Sequence, residues 1–187
     1  MLTLAGVLTR GISTFKTGMH KKLSKNVWKG LDYKEIMEDA KQNKSRYLEE
    51  WKNIPWKKIE KSIYDLQCDI ASAEIEGNKK KVRNLQRILI ARDTAILLAI
   101  RKVTIDNKGS KTPGIDGMVI KSHPERMALY NKLKSYRIKD YEPSPVRRIY
   151  IDKSNGKKRP LGIPTIIDRI CQTVISYVLE PRVEVTF

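Results

Sequence analysis

The chain has little of what metal centres and disulfide scaffolds need: two cysteines, Cys68 and Cys171, and two histidines, His20 and His123, among 187 residues. The cysteines lie far apart and neither sits in a CxxC, which excludes a cysteine-rich zinc site or disulfide framework and fits a reducing compartment. Glycine (10) and proline (8) are too few for a collagen-like or low-complexity chain. No apolar run reaches the roughly 18 to 20 residues of a membrane span. Acidic residues are scarce as well: 21 Asp plus Glu stand against 38 Lys plus Arg, a net charge of +17. Such an excess attracts polyanions, nucleic acid first among them, with acidic lipid or simple solubility as the competing readings.

What is present is a hydrophobic fraction of 40%, enough for one core or two small ones. Residues 1–31 contain no acidic residue but carry Arg10, Lys16, Lys21, Lys22, Lys25 and Lys29. That composition fits either an organellar transit segment or a basic, loosely ordered arm of a bacterial protein. Asp32 with Glu35 resembles a capping box, and helical spacing from Tyr33 to Trp51 predicts a helix over about 33–52. Pro55 suits the first turn of the next helix. There Trp56, Ile59, Ile63, Leu66, Ile70 and Ala73 keep one apolar seam on a single face. Gly77-Asn78 breaks it, and the pattern resumes at Val82, Leu85 and Leu89 and runs to Val103, with Ile88 widening the stripe. The two helices should fold back as an antiparallel αα-hairpin.

The second helix carries Lys79, Lys80, Lys81, Arg83, Arg87, Arg92, Arg101 and Lys102 off its seam, against a single Asp93. Cations so gathered repel one another unless anions lie between them, which points to a nucleic-acid contact face rather than an ordinary solvated one. From Asn107 to Gly117 runs a turn-rich loop with Lys108 and Lys111; it lacks the Gly-x-x-x-x-Gly-Lys-Ser/Thr pattern and is no nucleoside-triphosphate P-loop. A short helix follows Pro124. Val146, Ile149 and Ile151 lead into a β-run, Asn155-Gly156 signals a hairpin, and Lys157, Lys158, Arg159, Leu161 and Ile163 return. Thr165 with Asp168 caps a last helix that Pro181 should stop. Asp168 and Arg169 are placed to form a local ion pair.

Three stretches resemble one family. Trp56-x-x-Ile59, Leu66-Gln67 and Val82-x-x-Leu85-Gln86 resemble the N-terminal segment of group II intron reverse transcriptase/maturases. The run from Lys111 through Thr-Pro-Gly-Ile-Asp to Gly117 is similar to the loop that opens their polymerase region. The run from Val146 to Thr165, continued by Asp168-Arg169, Gln172 and Leu179-Glu-Pro181, is similar to their first fingers motif. The resemblance covers about 56–187. It implies a mostly α fold with a small β-hairpin (α+β), in which an antiparallel helical hairpin precedes the start of a reverse-transcriptase fingers subdomain. The expected organisation is a basic arm over 1–31, a helical RNA-binding region over 32–104 and an incomplete fingers region over 105–187.

The resemblance further implies an intact protein that binds its intron RNA, promotes splicing and copies RNA into DNA with Mg²⁺. The family's palm carboxylates, which hold two Mg²⁺ ions, do not occur in this sequence. The expectation is therefore an N-terminal fragment, a truncated gene or one half of a split protein, with no catalytic residue and no metal ligand in this chain. Its own activity would be intron RNA binding through Lys79, Lys80, Lys81, Arg83, Arg87, Arg92, Lys108, Lys111, Arg147 and Arg148. A separately encoded palm/thumb half is a further expected partner; a stand-alone RNA-binding module or a mobile-element relic is the alternative. The resemblance would set Lys153 and Arg159 against a nucleotide triphosphate, and a short hairpin turn lets both cations project toward one spot, with Arg159 able to bind bidentately. A solvated hairpin tip is the other reading. Asp152 stands where the family typically has proline, and a carboxylate there could partly neutralise the site. Arg147 and Arg148 should face opposite ways. Gly162 permits close backbone approach or a bulge. The expected compartment is a bacterial or archaeal cytoplasm, or an organellar matrix or stroma.

Overall fold

A computed structural model describes residues 31–135, 138, 141–154 and 156–186; the basic arm and Asn155 lie outside them. In chain order the elements are α1 (Tyr33–Gln42), α2 (Lys44–Lys52), α3 (Trp56–Ile75), α4 (Lys79–Ile90), α5 (Asp93–Arg101), a π-turn (Lys102–Asp106), a 3-10 turn (Lys108–Lys111), α6 (His123–Leu133), β1 (Arg147–Asp152), β2 (Lys158–Ile163) and α7 (Ile166–Thr186). The fold is mostly helical with one antiparallel hairpin, as expected.

The helix expected over 33–52 is two helices. Asn43 leaves helical geometry, and its amide bonds back to the Asp39 carbonyl and carboxylate at 3.1 and 2.8 Å, a local alternative to the helical ladder. Asp32 caps α1 by accepting from the Lys34 amide, but Glu35 does not close a capping box; it meets Lys132 of α6 at 2.8 Å. Both short helices lie against α6.

The α3 seam is as read: Ile59, Ile63, Leu66, Ile70 and Ala73 are buried. Gly77 turns the chain at φ +70°, a left-handed conformation that glycine adopts without strain, and Asn78 caps α4. The expected second helix then breaks at Ala91-Arg92, where Arg92 is extended and donates to Ser62 Oγ on α3. This bend turns α5 into the interior, burying Ala95, Ile96, Leu97, Ala99 and Ile100, and leaves Ile88 facing solvent.

α7 runs through Pro181 to Thr186 instead of stopping there. Proline removes the amide that would bond the carbonyl four residues back, here that of Tyr177. Gln67 of α3 donates to that carbonyl at 3.0 Å, and Gln86 of α4 donates to the next one, Val178, at 3.2 Å. Thus the Leu-Gln pairs of α3 and α4 each aim a leucine at the core and an amide at the proline-interrupted stretch of α7. One hydrophobic core runs from Ile36 to Val178, crossing residues 104–105 without a gap. Among the described residues no helix is long and apolar enough to cross a membrane.

Candidate nucleic-acid interface

On α4, a 100° step per residue turns Val82 and Leu89 inward and brings Lys80 and Arg87 out on the opposite side, with Lys79 and Arg83 on one flank between. These four are exposed, and among the described residues none of them takes part in an ion pair. The other cations of the expected row are engaged. Lys81 meets Glu76 at 3.4 Å, Arg92 is bonded to Ser62, Arg101 meets Glu60 at 2.8 Å and lies over the Trp56 ring, and Lys102 sits over Tyr177. No continuous basic rod over 79–102 exists, because the helix bends and its second half is drawn into the core.

A second basic surface forms around the 107–117 loop, with Lys108 and Lys111 exposed on its 3-10 turn. The loop is pinned. Arg169 of α7 donates to the carbonyls of Gly109 (2.9 Å), Thr112 (2.7 Å) and Pro164 (3.0 and 3.1 Å). Gly114 lies so close to Thr165 that a Cβ would come within 2.6 Å of its Cα. Arg169 therefore does not pair with Asp168 as expected. Asp168 is buried, accepts from the Ser144 and Thr165 amides at 3.1 Å and from Thr165 Oγ1 at 2.6 Å, and caps α7. Burial raises its pKa, opposed by the amides of Ser144 and Thr165. Burial likewise lowers the pKa of Arg169, and nearby Arg147 adds to that effect.

The hairpin pairs Ile151 with Arg159 and Asp152 with Lys158. The Lys153 amide donates to Lys157 O at 2.8 Å, the Gly156 amide donates to Lys153 O at 3.0 Å, and Gly156 has φ +72°. This is a three-residue loop ending in a left-handed glycine, one residue longer than the tightest Asn-Gly turn. Cross-strand partners share a face and neighbours alternate, so Lys153, Lys157 and Arg159 lie with Arg147 and Ile149. Asp152 faces the other way, with Lys158 opposite it. Arg148 is on that face too, as the alternation predicted. Gly162 makes room for Val146, whose Cγ2 would lie 2.9 Å from an added Cβ.

One polar cluster escaped the sequence reading. Arg126 of α6 is buried and, among the described residues, has no carboxylate partner; it donates to Thr104 Oγ1 (2.9 Å), Thr104 O (3.3 Å) and Lys121 O (3.0 Å), and its Nη1 meets His123 Nδ1 at 3.0 Å. His123 stacks on Trp51 at 5.7 Å. Guanidinium only donates, so His123 accepts through Nδ1 and is neutral, and burial with the charges of Arg126 and Lys52 lowers its pKa. The signal was present: Arg126, Leu129 and Leu133 recur at helical spacing, an arginine on an apolar stripe. Among the described residues no group of three or more His, Cys, Asp or Glu side chains could hold a metal ion.

Comparison with known proteins agrees with this layout. The family model described as the N-terminal domain of reverse transcriptase matches residues 51–133, from the end of α2 through α6. Protein YkfC of Escherichia coli is 33% identical over 127 residues, 67% of this chain and 33% of its own length. Maturase-like protein 1 of Euglena gracilis is 28% identical over 137 residues, 73% of this chain and 30% of its own. The group II intron-encoded protein LtrA of Lactococcus lactis is 40% identical over 82 residues, 43% of this chain and 14% of its own. The chain thus spans a third or less of the length of these relatives. Motif order, helical layout and these matches together identify the chain as an N-terminal region of the group II intron reverse transcriptase/maturase family.

Proposed function

We propose that this region binds structured intron RNA through the free cations of α4 (Lys79, Lys80, Arg83, Arg87) and of the loop (Lys108, Lys111). The observation that carries the reading is the division of the cations: those that steady the fold have partners within it, whereas these face solvent and have none among the described residues. Unpaired charge held on a rigid helix is suited to phosphates, which contribute most of the affinity in such interfaces. Arg169 supports the same reading, because a loop tied by two hydrogen bonds to a side chain that is itself anchored on Pro164 O loses little freedom when RNA engages it. Lys81 and Arg92 contribute less, being already engaged, and Arg147 and Arg148 add contacts from opposite faces of the hairpin.

In a complete protein the hairpin would serve RNA-directed DNA synthesis, with Lys153 and Arg159 on the incoming triphosphate and Mg²⁺ held by residues outside this chain. The exposed apolar side chains of the hairpin, Tyr150 and Ile151 among them, favour this over a stand-alone module, since such surface is ordinarily covered by a partner. That partner would be the rest of the enzyme, covalently joined or separately encoded, working in a bacterial cytoplasm or an organelle. Replacing Arg83 and Arg87 together by alanine should weaken binding to a folded group II intron RNA by about tenfold or more at about 0.1 M salt. Unchanged affinity in a filter-binding titration would remove α4 from the interface.

A further inference from the structure

We infer that the junction of α3, α4 and α7 is a built pocket for a single phosphate group, held by Lys79, Arg83 and Arg182 and guarded by Glu74. A cavity of about 150 Å³ opens there, with Val82 at its base. At about 30 Å³ per water molecule, this space takes a phosphate and a few waters. Lys79 and Arg83 lie four residues apart and so share one side of α4. Arg182 comes from a helix remote in sequence. Three cations directed at one concavity are electrostatically unfavourable unless an anion joins them. The lining supplies only one, Glu74, whose half-hidden carboxylate takes the Nε of Arg182 at 3.1 Å.

That ion pair fixes the Arg182 side chain while leaving its two terminal nitrogens without a hydrogen bond among the described residues, a fork suited to phosphate oxygens. The group as a whole retains two net positive charges. Lys79 is also the first residue of α4, so the positive end of the helix dipole faces the same place. Glu74 thus both orients Arg182 and holds down the affinity of the pocket. The inference draws on the RNA-binding reading only for the source of the phosphate, which is an RNA backbone or a free anion.

The test is an amide NMR titration of the whole chain with inorganic phosphate, repeated in the presence of a structured RNA hairpin. Phosphate should shift the amides around Lys79 and Arg83 saturably. Arg83→Ala, an exposed substitution, should weaken that binding by about tenfold, the effect of losing a charge-assisted hydrogen bond. Glu74→Gln should tighten it, with circular dichroism confirming that the variant is folded. Competition by the RNA assigns the pocket to a backbone phosphate; RNA binding elsewhere without competition assigns it to a free anion. If RNA binds while phosphate shifts are absent, or are indifferent to both substitutions, the pocket is refuted and the RNA reading stands. If phosphate seats as described but the RNA does not bind, the pocket stands and the RNA reading fails.

Discussion

The helical body and the β-hairpin treat the same residue types in opposite ways. In the body, arginines are structural wherever they meet carbonyls or hydroxyls: Arg126 and Arg169 each knit several backbone oxygens, and Arg92 ties α4 to α3. Most of its isoleucines and leucines lie in one core, with Ile75, Ile88, Ile105 and Ile115 the exposed ones. In the hairpin, Tyr150 is 61% exposed, Ile151 47% and Leu161 37%, and Arg148, Lys153, Lys158 and Arg159 are exposed. An isolated two-stranded hairpin is marginal in water. The contrast teaches that residue type alone does not mark a functional cation; what its terminal nitrogens find within the fold decides.

The contrast breaks most visibly at Arg126. Arg126→Ala should cost about 3 kcal/mol or more of stability, because it leaves buried carbonyls unpaired and a cavity behind; urea unfolding measures it, and a loss as small as that of a surface arginine would mean the cage is incidental. Gln67→Leu should cost about 1–3 kcal/mol by leaving the Tyr177 carbonyl without its donor. Adding Pro181→Ala should recover part of that loss by restoring the helical amide, and a purely additive double mutant would contradict the account of how α7 passes its proline.

A smaller effect concerns pH. The folded-state pKa of His123 lies below the ordinary imidazole value of about 6.5. The unfolded chain therefore takes up the proton first, and this group's contribution to stability is complete above about 6.5 and is lost as pH falls through the lowered folded value. Melting temperature should drop on acidification from about pH 7.5 to 5.5 more steeply than in His123→Gln, whose carbonyl can still accept from Arg126. Parallel profiles would show that the imidazole stays neutral for no structural benefit. The smallest effect belongs to the hairpin: Tyr150→Ala should change the stability of this chain by less than about 0.5 kcal/mol, and a large loss would show that the hairpin is already covered.

Much of this was legible in the sequence. The α3 seam, the turn at Gly77-Asn78, the Thr165-Asp168 box and the hairpin follow from periodicity and turn chemistry, which are local. The breaks at Asn43 and Arg92 were not, because each depends on a side chain finding a particular partner. Continuation through Pro181 depends on two glutamines more than 90 residues away in sequence. The same limit applied to the cations. Alternation correctly opposed Arg147 to Arg148, and register removes Asp152 from the face of Lys153 and Arg159. Which members of the 79–102 row are free depends on where α5 bends, and spacing alone carries no sign of that.

The most direct test of the central claim is the salt dependence of RNA binding in two sets of variants. Replacing Arg83 and Arg87 by alanine should reduce the slope of log affinity against log salt by about 2, one for each phosphate that the variant no longer neutralises. Replacing Arg92 and Arg101, which the fold already engages, should leave the slope unchanged even if stability falls. Equal flattening by both pairs would contradict the division between fold-bound and RNA-facing cations.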